Sequence, residues 1–162
     1  MEEGTYAGVR FHTATNQILH WITMEFDVPN AVRPDRFHIT LLYTDRNLST
    51  YTPWGEIYPY LRGTPTGFEV WETRNSAKSC LVMTFDCEDL TLRHNRLVTQ
   101  HHAPFDFNPY RPHVTLSFNV GNDFRVDKFK YMAGGLPQLL IIEEYKETLS
   151  AVVAERNQSY GN

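Results

Sequence analysis

The sequence has little cysteine: Cys80 and Cys87 are the only two among 162 residues. Two thiols at this spacing fit neither a disulfide framework nor a C-x-x-C metal clip. A chain of this length, 41% hydrophobic, can bury a core that needs no disulfide or metal to hold it. We therefore expect one globular domain over residues 1–162, with two free thiols in a reducing cytoplasm.

Basic residues are also too few for a nucleic-acid-binding face. Lys and Arg total 15 against 19 Asp and Glu, which gives a net charge of -4. Proteins that bind duplexes usually rely on a basic face that releases counterions from phosphates, so duplex nucleic acid is not an expected partner. A small anionic ligand in a pocket remains compatible with this charge.

Long hydrophobic runs are missing as well. No segment approaches the ~18 apolar residues of a membrane span, and the N-terminus, MEEGTYAGVRF, lacks a basic start followed by an apolar run. We expect a soluble, unexported protein with no membrane partner.

The apolar residues that are present alternate between strand and helix periods. Their order predicts the α+β class, with helices outside a mostly antiparallel sheet. The segment Asn47–Gly67, rich in Tyr, Pro and Gly, predicts a loop with room for a short helix, and the tail after about Glu155 is expected to be loose. The predicted elements are a strand at 4–11, a helix at Ala14–Phe26 capped by Thr13, strands at Arg36–Thr44, Gly67–Thr73 and Lys78–Asp86, a helix at Asp89–His102, and strands at 113–120 and Leu136–Tyr145.

One six-residue pattern occurs twice, as HITLLY from His38 and HVTLSF from His113. Both copies contain His, a β-branched residue, Thr, Leu, one variable position and an aromatic. Side chains alternate faces along a strand, so His38 and Thr40 share one face, and His113 and Thr115 share the corresponding face. The residues between them should belong to the core. If the strands lie close together, two His-Thr pairs meet in one cleft.

Two facing imidazoles suit proton transfer at a phosphodiester. With a pKa of about 6.5, one histidine can be neutral and accept a proton while the other is charged and donates one. The threonine hydroxyls can donate hydrogen bonds to the non-bridging oxygens as charge gathers there. This chemistry requires no metal ion and no other cofactor.

Two H-x-T motifs on strands about half a chain apart resemble the 2H phosphoesterase superfamily. The resemblance implies a bilobal α+β fold of two pseudo-symmetric halves around a central cleft, with His38, Thr40, His113 and Thr115 as the catalytic tetrad. Within the superfamily, the opening GTY, the spacing to the first motif, the length and the EEYKE segment are most similar to small phage anti-CBASS enzymes. That likeness implies cleavage of cyclic di- and trinucleotide immune signals in the cytoplasm of an infected bacterium.

The same resemblance implies base contacts from Tyr6, Trp71 and Glu144, with Glu143 as the alternative to Glu144. Aromatic faces stack on nucleobases, and a carboxylate accepts hydrogen bonds from exocyclic amines. The chain departs from its relatives in lacking a tryptophan after Trp71. An aromatic wall could come instead from the loop before the second motif. Its candidates are Phe105, Phe107 and Tyr110.

Several alternatives stay open from the sequence. The protein could be a 2H esterase acting on 2',3'-cyclic phosphate ends of linear RNA, or a sponge that binds cyclic nucleotides without cutting them. Which histidine is the base, whether the nucleophile is a 2'-hydroxyl or water, and the oligomeric state are undetermined. His94, His101 and His102 lack the accompanying ligands of a zinc site and are expected on a solvated helix face.

Overall fold

The computed structural model describes residues 3–72, 78–104 and 109–158, with side chains described up to residue 154. The described part contains six β-strands and three α-helices, together with short 3₁₀ turns. The strands are β1 (Thr5–Phe11), β2 (His38–Thr44), β3 (Gly55–Glu72), β4 (Ser79–Asp86), β5 (His113–Ser117) and β6 (Leu139–Thr148); the helices are α1 (Thr13–Glu25), α2 (Glu88–His101) and α3 (Leu149–Gln158).

The strands form one sheet in the order β2-β1-β6-β3-β4-β5, and every neighbouring pair is antiparallel. The halves repeat each other: β1-α1-β2 and β4-α2-β5 are both strand-helix-strand units that end in an H-x-T strand. The motif strands β2 and β5 therefore occupy the two outer positions of the sheet. The predicted α+β, two-half architecture is confirmed.

The sheet curls so that its two outer strands contact each other. Ala31, in the segment that leads into β2, forms a backbone bridge with Ser117 of β5. The Val32 N–H donates to the Leu116 carbonyl at 2.8 Å, and the Ser117 hydroxyl donates to the Pro29 carbonyl at 2.6 Å. These bonds bring the two halves of the chain together beside the H-x-T motifs.

The core lies between the helices and one face of the sheet. On the motif strands, Ile39, Leu41 and Val114 are fully buried, and Leu19 of α1 and Leu90 of α2 are equally inaccessible. Burying such side chains contributes about 1.5–3 kcal/mol each. Because each helix covers the apolar face, the opposite face of the sheet is left for polar chemistry.

The prediction of a loop over Asn47–Gly67 is wrong, since most of this segment belongs to the 18-residue strand β3. The first part of β3 pairs with β6 and the last part with β4, so β3 joins the two halves. Its prolines fall at irregularities in the register. Pro59 lies between Glu56 and Leu61, where the pairing with β6 shifts, and Pro65 lies beside a shift in the pairing with β4. A proline lacks the N–H of a regular ladder but is tolerated at such bulges.

The ends of several elements also differ from the predictions. Helix α1 is capped by His12, whose Nδ1 accepts the Ala14 N–H at 3.0 Å, and not by Thr13. Strand β6 begins at Leu139 and continues to Thr148, while the expected loose tail is helical as far as Gln158. The connection between the strands predicted at Gly67–Thr73 and Lys78–Asp86 lies outside the described residues. None of the described helices is long and apolar enough to span a membrane.

Candidate active site

The two H-x-T motifs present their polar side chains as strand alternation predicts. His38, Thr40, His113 and Thr115 are half-buried, while the residues between them are completely buried. The sheet register places all four side chains on one continuous face, opposite the core. We call this the motif face.

Both histidines are oriented in the same way. The Nδ1 atom of His38 lies 2.8 Å from the Arg36 carbonyl oxygen, and the Nδ1 atom of His113 lies 2.8 Å from the Arg111 carbonyl oxygen. A carbonyl only accepts, so each Nδ1 carries the proton and each neutral ring has its lone pair on Nε2. The two rings are therefore fixed in the same tautomer, with Nε2 left as the nitrogen that can accept a proton.

The H-x-T motifs alone do not reveal the role of these two arginines. Arg36 and Arg111 both stand two residues before their histidine, in RFHIT and RPHVT. Extending the repeat upstream by two positions would have found them. Their backbone carbonyls orient the histidines, so the repeated unit is R-x-H-x-T.

Trp71 lies beside the second motif, with its ring centroid 4.4 Å from that of His113. Its Nε1–H donates to Glu69 at 3.1 Å, and Arg111 donates to the same carboxylate at 3.2 Å. The Arg111 guanidinium also lies 5.3 Å from the centre of the Trp71 ring. Glu69 and Arg111 therefore fix the indole next to His113.

The surroundings of His113 favour its neutral form. Burial lowers the pKa of His113, the hydrogen bond to the Arg111 carbonyl raises it, the Arg111 charge lowers it and the Glu69 charge raises it, and the net shift is downward. Glu69 is itself ionised, because its hydrogen bond from Arg111 lowers the pKa of the carboxyl group. Near neutral pH, a larger share of His113 is thus ready to accept a proton than of an ordinary histidine.

Tyr6 lies under the first motif, where only 1% of its surface is exposed. Its hydroxyl is 3.0 Å from Thr40 Oγ1, and its ring makes an edge contact with His38 at 6.0 Å between centroids. The Tyr6 hydroxyl therefore lies where it can hold the Thr40 side chain. The base contact expected of Tyr6 stays a prediction.

Glu144 lies on the core face of the sheet, 1% exposed. Its carboxylate accepts two hydrogen bonds from Arg93 at 2.8 and 2.9 Å, one from the Tyr51 hydroxyl at 2.8 Å and one from the Trp54 N–H at 3.0 Å. These donors occupy both oxygens away from the motif face. Glu144 therefore has a structural role here, and the base contact expected of it stays a prediction. The other carboxylate expected to contact a base is that of the neighbouring residue, Glu143.

Glu143 lies on the motif face. Its register partner is Arg10 of β1, which is in turn the partner of His38. The Glu143 side chain is 39% exposed and lies 3.4 Å from the Arg10 guanidinium. The alternative carboxylate of the pair is therefore the one placed near the motifs.

Tyr110 supports the first motif strand, β2, through a hydrogen bond to its backbone. Its hydroxyl donates to the Thr40 carbonyl at 2.8 Å, and its ring stacks on His94 with centroids 4.2 Å apart. The buried His94 in turn bonds the Leu41 carbonyl through Nδ1 at 2.7 Å, so its expected place on a solvated helix face is wrong. Phe105 and Phe107 lie outside the described residues.

Two further observations on the described residues concern possible metal ligands and the two cysteines. Across 3–72, 78–104 and 109–158, no three His, Cys, Asp or Glu side chains are grouped so as to hold a metal ion. Cys80 and Cys87 are both buried, and they form no disulfide within the described residues.

Comparison with known proteins places this site in a family. The family model described as anti-CBASS protein Acb1 matches residues 3–156. The anti-CBASS protein Acb1 of Acinetobacter phage Ac42 is 32% identical over 149 residues, covering 92% of this chain and 93% of the relative. That of Salmonella phage S16 is 30% identical over 148 residues, covering 90% and 88%.

Two solved structures share the fold at low sequence identity. A phosphoesterase crystal structure has a TM-score of 0.55 at 15% identity and covers 91% of this chain and 88% of its own. The structure of E. coli LigT complexed with ATP has a TM-score of 0.54 at 12% identity, with the same coverage. The fold is that of the LigT-like 2H phosphoesterases, and the chain belongs to the anti-CBASS protein Acb1 family.

Proposed function

We propose that this protein is a phosphodiesterase that cleaves the 3'-5' bonds of cyclic di- and trinucleotides, and so protects a phage from CBASS immunity in the bacterial cytoplasm. The observation that carries this proposal is the pair of His-Thr couples on two contacting strands, with both imidazoles held in one tautomer by equivalent backbone carbonyls. The names of its relatives supply the biological setting.

In the proposed reaction, neutral His113 removes a proton from the nucleophile, a ribose 2'-hydroxyl or a water molecule. The nucleophile forms a bond to phosphorus while the bond to the leaving ribose oxygen breaks, and protonated His38 gives that oxygen its proton. Thr40 and Thr115 donate hydrogen bonds to the non-bridging oxygens as negative charge grows there. The lowered pKa of His113 supports giving it the role of base.

Base recognition is proposed to use Trp71 and Glu143. The Trp71 ring is half-buried beside His113 and held by its N–H bond to Glu69. Stacking on an aromatic face contributes about 1–3 kcal/mol per base. Glu143, partly exposed on the motif face, can accept a hydrogen bond from an amine on the edge of a base.

The reaction is expected to be independent of added metal, because two imidazoles and two hydroxyls supply the proton transfers and the charge stabilisation. Excess EDTA should leave the cleavage rate unchanged, measured by chromatography of substrate and products. A rate that falls on chelation and returns with Mg²⁺ or Zn²⁺ would contradict the metal-free mechanism.

The pH profile tests the role of His113. With this residue as base, the acidic limb of kcat/KM should have its midpoint below about 6.5, because the pKa of the neutral base is lowered by burial. Glu69→Gln should move that midpoint further down, since removing a nearby negative charge disfavours the imidazolium and leaves the Arg111 charge unopposed. The single carbonyl oxygen of glutamine can still accept the Trp71 hydrogen bond and one of the two from Arg111. A limb that stays in place or moves up would remove His113 from the role of base.

One assay separates the proposed function from its rivals. The purified protein is incubated with cyclic dinucleotides, cyclic trinucleotides and linear RNA ending in a 2',3'-cyclic phosphate. Linear products from the cyclic ligands support the proposal. Turnover of the RNA alone indicates an RNA-end esterase, and tight binding of cyclic ligands without products indicates a sponge.

A further inference from the structure

Arg10 occupies a central place on the motif face. It lies on β1 directly opposite His38 of β2 on one side and Glu143 of β6 on the other. Side chains of directly opposite residues in an antiparallel pair project from the same face at close range. A long cationic side chain thus lies next to the first catalytic histidine.

The guanidinium of Arg10 lies over an aromatic ring. Its central carbon lies 4.0 Å from the centroid of Tyr145, and its nitrogens lie 3.4 Å from Glu143 and 3.7 Å from Glu147. Gly8 makes room for this stack, because a Cβ there would lie 2.7 Å from the Tyr145 hydroxyl. With Tyr145 on one side and two carboxylates beside it, the Arg10 side chain is still 35% exposed, which leaves the face turned away from Tyr145 for a ligand.

The charges around Arg10 decide what that face can bind. A phosphate placed on it would also meet Glu143 and Glu147, whose two negative charges exceed the single charge of the guanidinium. An uncharged planar group suffers no such repulsion, and nucleobases stack on guanidinium planes as they do on aromatic rings. The site therefore suits a base better than a phosphate.

We propose that Arg10, stacked on Tyr145, is a second nucleobase platform that serves the ligand bound at the two motifs. Trp71 lies beside His113, and Arg10 lies opposite His38, so each catalytic histidine has one platform next to it. A cyclic dinucleotide carries a base on either side of its scissile phosphate, and the two platforms match those two bases. This inference rests on the proposed function and assigns Arg10 to base binding within it.

The test compares Arg10→Lys and Arg10→Met with the wild type, using cyclic di-AMP and cyclic di-GMP as probes. Lysine keeps the positive charge without the plane, and methionine removes both. Both variants should raise KM by about 5- to 150-fold, the range that corresponds to one base stack, while kcat changes little because the proton-transfer groups remain. Arg96→Lys, at an exposed position of α2, is the matched control and should keep the wild-type KM.

Each outcome decides a separate claim. A wild-type KM in Arg10→Lys means that the charge alone acts, and a lower kcat with an unchanged KM means that Arg10 acts through His38; either overturns the platform. If the wild type binds these probes but forms no product, the proposed function fails, and the platform is judged by the Kd of Arg10→Lys from calorimetry. Equal Kd values overturn it, and so does a wild type that binds neither probe.

Discussion

Replacing either of the two histidines proposed to be catalytic, His38 or His113, with asparagine should lower kcat by about 10²–10⁴-fold, the contribution of one positioned proton-transfer group. The asparagine amide can still donate to the carbonyl of Arg36 or Arg111, so the loss reports the missing proton transfer and not a lost backbone contact. His38 and His113 are half-buried on the motif face, and their replacement should leave the melting temperature nearly unchanged. The measurement is single-turnover cleavage of a cyclic dinucleotide, with a melting curve for each variant.

The double variant sharpens this test. Because a base and an acid that act on one reaction work as a unit, losing both should cost about as much as losing one. His20→Asn, a half-buried histidine on α1, serves as control and should cleave at the wild-type rate. Near-normal turnover in His38→Asn or His113→Asn would remove that residue from the mechanism.

Glu144→Gln should lower the stability of the fold more than the same substitution at Glu69 or Glu143. Arg93 is 7% exposed and its ionic partner is fully buried. Removing one member of such a pair leaves a buried charge without compensation, at a cost of about 3–5 kcal/mol in the free energy of unfolding. For a domain of this size, that corresponds to a fall in melting temperature of about 6–20 °C.

The neighbouring residue provides a matched control. Glu143→Gln changes the same side chain one position earlier, where the carboxylate is 39% exposed, and should cost no more than about 1 kcal/mol. Replacing both partners, as Arg93→Met with Glu144→Leu, should restore part of the stability, because no uncompensated charge remains. Equal melting temperatures for Glu143→Gln and Glu144→Gln would show that the buried pair does not carry the stability assigned to it.

The sequence predicts most of what depends on local periodicity. Strand alternation correctly separates His38 and Thr40 from the buried Ile39, and the order of elements gives the antiparallel α+β class. The first part of strand β3 could not be predicted from the sequence, for a physical reason. Its prolines argue against a strand, and they are accommodated because Pro59 and Pro65 fall at irregularities in the pairing with β6 and with β4.

The roles of Tyr6 and Glu144 could not be predicted because they depend on distant residues. The Tyr6 hydroxyl meets Thr40, 34 positions later, and Glu144 is matched by Arg93, 51 positions earlier. Nothing near EEYKE in the sequence shows which of two adjacent glutamates points into the core. A shift of one residue along a strand exchanges the two faces, so the choice between Glu143 and Glu144 needed the register of β6.

The outermost position of both motif strands has a consequence for refolding. Each strand pairs with one neighbour in the sheet, and the two come into contact where the curled edges close, near Ala31 and Ser117. Four inner strands must be in place before one imidazole can face the other. Enzymatic activity should therefore be the last property recovered after dilution from denaturant, later than secondary structure, and neither half of the gene expressed alone should yield an active product.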